Sequence, residues 1–320
     1  MSLLDLLNEG AAFDCEYAGG LSNHRPMALL ALAGLGADVQ RLAQFAHTYS
    51  TRLQPAPPPT RWPAGDPWAS RLGERGAWPA YRDLFLHWLY SEDARDVLRQ
   101  SLPVLMQGCG AAAFHGLIRT AYAVQAAHRQ ELADALAYWA CRWLDLGMAA
   151  DGLGTVDDPA AVLTRLHAVP PKDVFIFQRM QSAAAQPRFA AAVDSLRIDD
   201  ARTLPGLAAL GAQAYAATGN FTALHLVTSA HALRLLMPYL DEPQPSLQAY
   251  WRAYAAAVCA AALQPGTPPR PRPWGELLAA ACASDDDHLI KLVYSCREEQ
   301  AAHDGRGPWQ AAATRAVHKA

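Results

Sequence analysis

Apolar residues recur at intervals of three and four along most of the 320-residue chain, and no segment alternates regularly between apolar and polar positions. Spacing of three and four residues places apolar side chains on one face of a helix, whereas a half-buried strand alternates with a period of two. The pattern therefore predicts an all-α protein of about a dozen helices. Helices are expected at residues 2–8, 26–52, 81–90, 91–108, 111–127, 131–147, 157–168, 186–198, 201–217, 221–236, 247–263, 285–296 and 308–318.

Two proline-rich segments interrupt the helical pattern. Residues 54–79 carry seven prolines and three tryptophans, and residues 265–273 end beside a further tryptophan. Because proline lacks a backbone donor and blocks regular structure, both segments are predicted to be surface connections within a single compact domain of residues 1–320. Long connections also often carry function, so the tryptophans leave open a second interpretation, an aromatic lid at the mouth of a pocket.

Composition favours a compact globular protein with neither a nucleic-acid nor a membrane partner. Hydrophobic residues make up 52% of the chain, charged residues make up 18%, and the net charge is −3. Such a chain lacks the basic surface that nucleic acids and anionic membranes attract. The most apolar run, residues 255–263, is far too short to span a bilayer. The N-terminus lacks the features of a signal peptide and the six cysteines lack C-x-x-C spacing, so we expect a cytoplasmic protein without a zinc cage.

Residues 285–296 combine a helix start with two polar side chains inside an apolar helix. The three aspartates at 285–287 suit a helix N-terminus, where carboxylates accept hydrogen bonds from unpaired N–H groups. His288 and Lys291 are three residues apart and therefore share one helix face. A buried lysine loses its proton readily, and its neutral amine can act as a nucleophile, a base or an acceptor of CO2. The alternative is a lysine that reaches solvent from the helix edge beside a core histidine.

Five of the eleven histidines lie in apolar or structurally tight settings, namely His24, His115, His225, His231 and His288. His225 and His231 are six residues apart, which turns them about 120° from each other on a regular helix. Either that helix is distorted, or one of the two binds a metal and the other does not. Imidazole-rich sites suit iron, copper, zinc or nickel. The alternative is five separate core histidines, each with its own hydrogen-bond partner.

Other catalytic signatures are missing from the sequence. It contains no Glu-x-x-His pair of the di-iron bundles, no H-E-x-x-H motif, no P-loop and no G-x-S-x-G motif. Gly34-Leu35-Gly36 follows a helical pattern and not a strand, which argues against a dinucleotide-binding turn. The histidines and Lys291 are therefore the best candidates for chemistry.

Four separated motifs resemble the questin oxidase-like family. They are SNHRPMA at residues 22–28, FHGLIR at 114–119, LHLVTSAHALR at 224–234 and DHLIK at 287–291. The resemblance spans nearly the whole chain and implies an oxygenase of the kind that opens anthraquinone rings in fungal polyketide pathways. It also implies either an NADPH-requiring Baeyer–Villiger-type reaction or a non-haem iron(II) centre held by four histidines and a carboxylated lysine. Carried over to this chain, the metal-ligand candidates are His24, His115, His225 or His231, His288 and Lys291, of which Lys291, His288 and His115 are also the catalytic candidates.

The expected function is a non-haem iron oxygenase that uses O2 to cleave a C–C bond in a small polycyclic aromatic or quinone-like substrate, with NADPH as a further candidate cofactor. One alternative is a catalytically silent helical ligand-binding protein, and another is a metal-dependent hydrolase with two metals and a carbamylated lysine. Aromatic side chains could stack on such a substrate. The candidates for stacking are Tyr17, Tyr122, Trp62 and Trp68.

Overall fold

The computed structural model describes residues 2–148, 154–170 and 175–319. Within these ranges the chain forms sixteen α-helices and one two-stranded hairpin, which confirms the prediction of an all-α fold. The elements are α1 (Leu3–Gly10), β1 (Glu16–Tyr17), β2 (Leu21–Ser22), α2 (Arg25–Gly34), α3 (Val39–Ser50), α4 (Trp78–Ser91), α5 (Ala94–Met106), α6 (His115–Ala126), α7 (Arg129–Arg142), α8 (Pro159–Leu163), α9 (Ile176–Ala184), α10 (Phe189–Val193), α11 (Thr203–Thr218), α12 (Phe221–Leu236), α13 (Pro243–Ala261), α14 (Trp274–Ala283), α15 (Asp287–Ala302) and α16 (Trp309–Lys319).

Side-chain caps begin the helices that carry the candidate site. Asn220 accepts hydrogen bonds from the backbone N–H groups of Thr222 and Ala223 at the start of α12. Asp286 accepts from the N–H groups of His288 and Leu289 at the start of α15. Each cap satisfies donors that the first helical turn leaves unpaired. The structure therefore confirms both predicted helix starts.

The helix predicted over residues 26–52 is two helices. Helix α2 ends at Gly34, Gly36 adopts φ +93°, and Asp38 caps α3 through its side chain. A positive φ is accessible to glycine without steric cost, so Gly36 allows the chain to turn between the two helices.

Several other predicted boundaries are wrong. The helix expected at 131–147 ends at Arg142, and the helices expected at 157–168 and 186–198 shrink to the five-residue α8 and α10. The prediction missed α9, whose buried Ile176, Met180 and Ala183 do have helical spacing. Short helices depend on tertiary packing for most of their stability, which is why the local pattern locates them poorly.

Helices α2, α6, α12 and α15 form the centre of the molecule. Helix α2 packs against α6 and α15, and α12 packs against α6 and α15. A single hydrophobic cluster extends from these helices through the surrounding ones. None of the described helices is both long enough and apolar enough to cross a membrane.

Both proline-rich segments lie on the surface, as predicted. In the first segment, Trp62 packs on Tyr81 with ring centroids 4.7 Å apart, and Trp68 lies 5.9 Å from Phe85. Both contacts are with α4, while most of the prolines are exposed. In the second segment, the backbone N–H of Arg272 donates to Thr314 Oγ1 on α16 at 3.0 Å.

Candidate metal centre and adjoining cavity

The four central helices bring His24, His115, His225 and His288 together, and we call these residues the histidine cluster. Ring centroids are 4.5 Å apart for His24 and His115, and 4.6 Å apart for His24 and His288. The centroids of His115 and His225 are 5.0 Å apart, and those of His225 and His288 are 5.8 Å apart. Three ring nitrogens that could bind a metal lie within 4.8 Å of one another, one each from His24, His115 and His288. Four distant parts of the chain thus converge on one point in the core.

The Nδ1 atom of each imidazole in the cluster lies within hydrogen-bonding distance of an oxygen acceptor. His115 Nδ1 lies 2.5 Å from the carbonyl oxygen of Ala112, and His225 Nδ1 lies 2.9 Å from that of Phe221. The Nδ1 atoms of His24 and His288 lie 2.5 Å and 2.8 Å from Asp287 Oδ1. Because carbonyl and carboxylate oxygens only accept, each Nδ1 carries the proton and each Nε2 keeps its lone pair. This arrangement is typical of histidines that bind a metal through Nε2.

Asp287 contacts the histidine cluster, although it was not among the site residues that the sequence predicted. It is 6% exposed, it bonds two members of the histidine cluster, and its Oδ1 lies 3.9 Å from Lys291 Nζ. The sequence contained a usable signal. One aspartate is sufficient to cap α15, and Asp287 precedes Lys291 by four residues, which places the two side chains on the same buried face.

Burial keeps three imidazoles of the cluster neutral, those of His24, His115 and His225. It lowers the pKa of His24 to about 3, with a further contribution from the charge of Lys291, although Asp287 opposes the shift. Burial also lowers the pKa of His115 and of His225 well below the ordinary value, and neighbouring imidazoles add to both shifts. The imidazoles of His24, His115 and His225 are therefore uncharged at neutral pH, which is the form that binds metals.

Lys291 is buried beside the cluster and does not extend to solvent. Its side chain is 3% exposed, and burial lowers its pKa to about 8 against the opposing charge of Asp287. An appreciable fraction of the amine is therefore neutral near pH 7. In Asp287 burial would raise the pKa, but His24 and His288 outweigh burial and hold the pKa well below its ordinary value.

A strained turn precedes His115. Ala112, Ala113 and Phe114 adopt φ values of +46°, +57° and +70°, so the helix expected from residue 111 begins only at His115. Left-handed backbone is costly for residues other than glycine and is typical of functional sites. Here the turn aims the carbonyl of Ala112 at His115 Nδ1 and places Ala112 and Ala113 on a cavity wall.

His231 lies outside the histidine cluster, which corrects its place among the ligand candidates. Its Nδ1 lies 2.8 Å from Glu299 Oε1, and its ring centroid is 5.8 Å from that of Tyr294. Glu299 also accepts a hydrogen bond from Arg234 at 2.7 Å. Because α12 continues through both positions, the six-residue spacing turns His231 away from the point that His225 faces.

A cavity of about 300 Å³ adjoins the histidine cluster, and all four imidazoles contribute to its walls. The remaining wall is mostly apolar and includes Tyr17, Phe175, Phe177 and Phe221. The rings of Phe175 and Phe177 stack with centroids 5.5 Å apart. The centroid of Phe221 lies 5.0 Å from that of His225 and 4.8 Å from that of His288. An aromatic molecule in this cavity would therefore contact both apolar rings and the imidazoles.

Of the four side chains expected to stack on a substrate, only Tyr17 lines the cavity. Tyr122 instead packs against Tyr294, with ring centroids 5.7 Å apart. Trp62 and Trp68 pack against α4, and neither proline-rich segment supplies a residue to the cavity lining. The aromatic wall comes from the segment around α9 and from Phe221, and no tryptophan of the proline-rich segments contributes to it.

The residues present fit a metal ion. The Nε2 atoms of His24 and His115 are buried and have no hydrogen-bond partner among the described residues. A buried acceptor without a partner costs free energy, and a bound cation at this point would offset that cost. Imidazole nitrogens together with an oxygen-bearing group suit iron(II) as well as other transition metals.

The fold and the site together define an all-α protein with a candidate metal centre in its helical core. The sequence model of the questin oxidase-like family matches residues 21–206 and 204–296, so the chain belongs to this family. The matched segments contain the whole histidine cluster together with Asp287 and Lys291. A comparison with curated proteins finds no match.

Proposed function

We propose that this protein is a non-haem iron oxygenase that cleaves a C–C bond of a polycyclic aromatic or quinone-like substrate. Membership of the questin oxidase-like family implies an oxygenase that acts on anthraquinone-type substrates. The observation that carries the finer proposal is the arrangement of four imidazoles along the wall of an apolar cavity, each with an oxygen acceptor within hydrogen-bonding distance of its Nδ1 atom.

Iron(II) would be held by the Nε2 atoms of the histidine cluster and by Lys291 in a carboxylated form. Bound iron would supply the activation of O2 that oxidation of a closed-shell aromatic ring requires. Asp287 orients His24 and His288 through their Nδ1 atoms, and such partners hold ligating imidazoles in the correct tautomer. The carbonyls of Ala112 and Phe221 do the same for His115 and His225.

Lys291 has the properties that carboxylation by CO2 requires. Its amine attacks CO2 only when neutral, and burial lowers its pKa to about 8. Attack forms an N–C bond and releases one proton, and the amine becomes a carbamate with one negative charge. Such a carbamate would offer oxygen ligands to a cation, which the positive charge of an unmodified ammonium group would repel.

The cavity would bind the substrate and exclude water. Phe175, Phe177 and Tyr17 would offer ring faces and edges to a flat aromatic molecule, and Phe221 packs against the imidazoles of His225 and His288. Phe221 is itself 53% exposed, which places it at the entrance. An apolar enclosure of this kind favours reaction of a bound ring over side reactions with water.

Metal analysis of the purified protein and oxygen uptake together test the proposal. We expect one iron per chain, and consumption of O2 with 2-hydroxyanthraquinone as the probe, measured with and without NADPH. Mass spectrometry of the product should show ring cleavage with incorporated oxygen. His115→Ala and His288→Ala should lose both iron and oxygen uptake.

Other outcomes would favour other functions. Two zinc ions per chain without oxygen uptake would favour the metal-dependent hydrolase. Absence of bound metal, even after reconstitution with iron(II), zinc or copper, would favour the helical ligand-binding protein. Carbon-13 NMR with labelled bicarbonate tests the carbamate, because a signal that Lys291→Gln abolishes would identify it.

A further inference from the structure

A chain of hydrogen bonds leads from the cavity wall to the Glu16 carboxylate, whose side chain is 15% exposed. Ser22 lines the cavity, and its Oγ lies 2.7 Å from the hydroxyl oxygen of Tyr138. The Tyr138 hydroxyl in turn donates to Glu16 Oε1 at 3.2 Å. Ser22 and Tyr138 are 8% and 1% exposed, so both hydroxyl groups depend on these bonds.

The charge of Glu16 determines which atom donates in each of these hydrogen bonds. Glu16 forms ion pairs with Arg75 at 2.7 Å and with Arg142 at 3.0 Å. A carboxylate only accepts hydrogen bonds, so the single proton of Tyr138 points to Glu16. Ser22 must then donate its own proton to Tyr138. The hydrogen of Ser22 is thereby used inside the protein, and only oxygen lone pairs remain to face the cavity.

The hairpin holds Ser22 beside the histidine cluster. Glu16 and Ser22 are a cross-strand pair of β1 and β2, so Tyr138 bonds both members of one pair. Two residues after Ser22, His24 enters the cluster. A group bound at Ser22 therefore lies on the same cavity wall as the imidazoles.

We propose that Ser22 is a specificity-determining residue that accepts a hydrogen bond from a free hydroxyl group of the aromatic substrate, with Tyr138 and Glu16 as positioning residues. This inference rests on the proposed function, since it concerns the substrate of that site. The cavity wall is otherwise mostly apolar, so a hydroxyl donor gains a partner at Ser22 that an ether or a methyl group at the same position does not. The site thus takes phenolic members of the substrate class in preference to their capped counterparts.

Binding of two matched probes tests the role of Ser22. The probes are 2-hydroxyanthraquinone and 2-methylanthraquinone, which differ in a hydroxyl and a methyl group of similar size. Their dissociation constants are measured by fluorescence quenching, without O2 or NADPH, on the protein with its bound metal. In Ser22→Ala the preference for the hydroxyl probe should fall about tenfold relative to the unaltered protein, which corresponds to about 1.4 kcal/mol. Ser22→Thr keeps the hydroxyl and should retain the preference.

Tyr138→Phe tests whether the chain orients Ser22 or only holds the hairpin in place. Removing the Tyr138 hydroxyl frees the serine proton, so the preference should fall at least threefold. The matched control is Tyr250→Phe, which removes another buried hydroxyl, 2.9 Å from Ser229 Oγ, that does not line the cavity. Thermal unfolding of both variants separates a general loss of stability from a change in preference.

Three results would overturn the inference. An unchanged preference for the hydroxyl probe in Ser22→Ala would show that Ser22 does not contact the substrate hydroxyl. The proposed oxygenase function would be unaffected by that result. If Tyr138→Phe and Tyr250→Phe show the same preference for the hydroxyl probe, the hydrogen bonds of Ser22, Tyr138 and Glu16 have only a structural role. Failure of the unaltered protein to bind either probe would reject both this inference and the proposed substrate class.

Discussion

His24 Nδ1 and Asp287 Oδ1 lie 2.5 Å apart, although the two residues are 263 positions apart in the sequence. His24 immediately precedes α2, Asp287 begins α15, and these two helices pack against each other. The same carboxylate oxygen lies 2.8 Å from His288 Nδ1. One aspartate therefore orients two imidazoles of the histidine cluster, and its loss should affect both.

Asp287→Asn should weaken metal binding by about 10- to 100-fold. The amide lacks the negative charge that orients both imidazoles and raises their basicity as metal ligands. Competition with a chelator of known affinity measures the change. Asp286→Asn is the matched control, since asparagine caps a helix as well as aspartate does. Metal affinity should stay the same in the control, and a loss there would place the ion at the outer aspartates instead.

His225→Ala and His231→Ala should separate the two histidines of α12. The first variant should lose metal, because its imidazole belongs to the cluster. The second should retain metal but lose about 1–3 kcal/mol of stability, because Glu299 and Arg234 lose a buried partner. Metal analysis and urea unfolding give the two quantities. Loss of metal from His231→Ala with retained metal in His225→Ala would reverse the ligand assignment.

The metal-free protein should lose stability as the pH falls from 7 to 5. The folded pKa of His24 is about 3 against an ordinary value of 6.5, and those of His115 and His225 are also lowered. Below pH 6.5 the unfolded chain takes up protons at these histidines that the folded protein does not, so each of them lowers the stability, and His24 does so by about 2 kcal/mol at pH 5. Carboxylates titrate mainly below this window.

Urea unfolding at several pH values checks this effect. The pH dependence of stability gives the number of protons taken up on unfolding. In His115→Leu this number should be smaller by about one between pH 5 and 6. His87→Leu is the control, because the side chain of His87 is 77% exposed. A pH dependence that is the same in all three proteins would show that the buried imidazoles do not control it.

Gly116→Ala should destabilise the protein by about 1–3 kcal/mol through overpacking. A β-carbon at Gly116 would lie 2.7 Å from Trp139 Cβ and 2.8 Å from Trp139 Cα, so α6 and α7 would have to separate beside His115. Gly206→Ala in α11 is the matched control. No atom lies within 4 Å of a β-carbon there, so this change should stabilise the helix by about 0.5–1 kcal/mol. Thermal and urea unfolding measure both variants.

Local sequence was sufficient to predict the helical class and several helix starts. The predicted starts of α12 and α15 lie within two residues of the observed ones, because capping by Asn220 and Asp286 depends on residues within one turn. The short helices were not predictable in the same way. Helix α9 supplies Ile176 and Phe177 to the cavity, and its position is stabilised by packing against α13.

The sequence also indicated which histidines were unusual, since an imidazole in an apolar helix needs a partner. It left open whether His225 or His231 joins the others. The spacing of six residues prevents the two histidines from reaching the same point together, but it does not show which of them does so. Only the packing of α12 against α6 and α15 selects between them. His225 faces His115 and His288, while His231 faces Glu299.

Periodicity and spacing are local properties of a helix, so they were sufficient to predict the all-α class and to single out the histidines and Lys291 as candidates. The remaining features of the site depend on tertiary packing. Asp287 bonds His24 across 263 residues, three left-handed residues turn the chain into His115, and Tyr138 bonds Ser22 and Glu16. These relationships depend on how helices distant in the chain pack and on where buried polar groups find partners, and no local pattern encodes either.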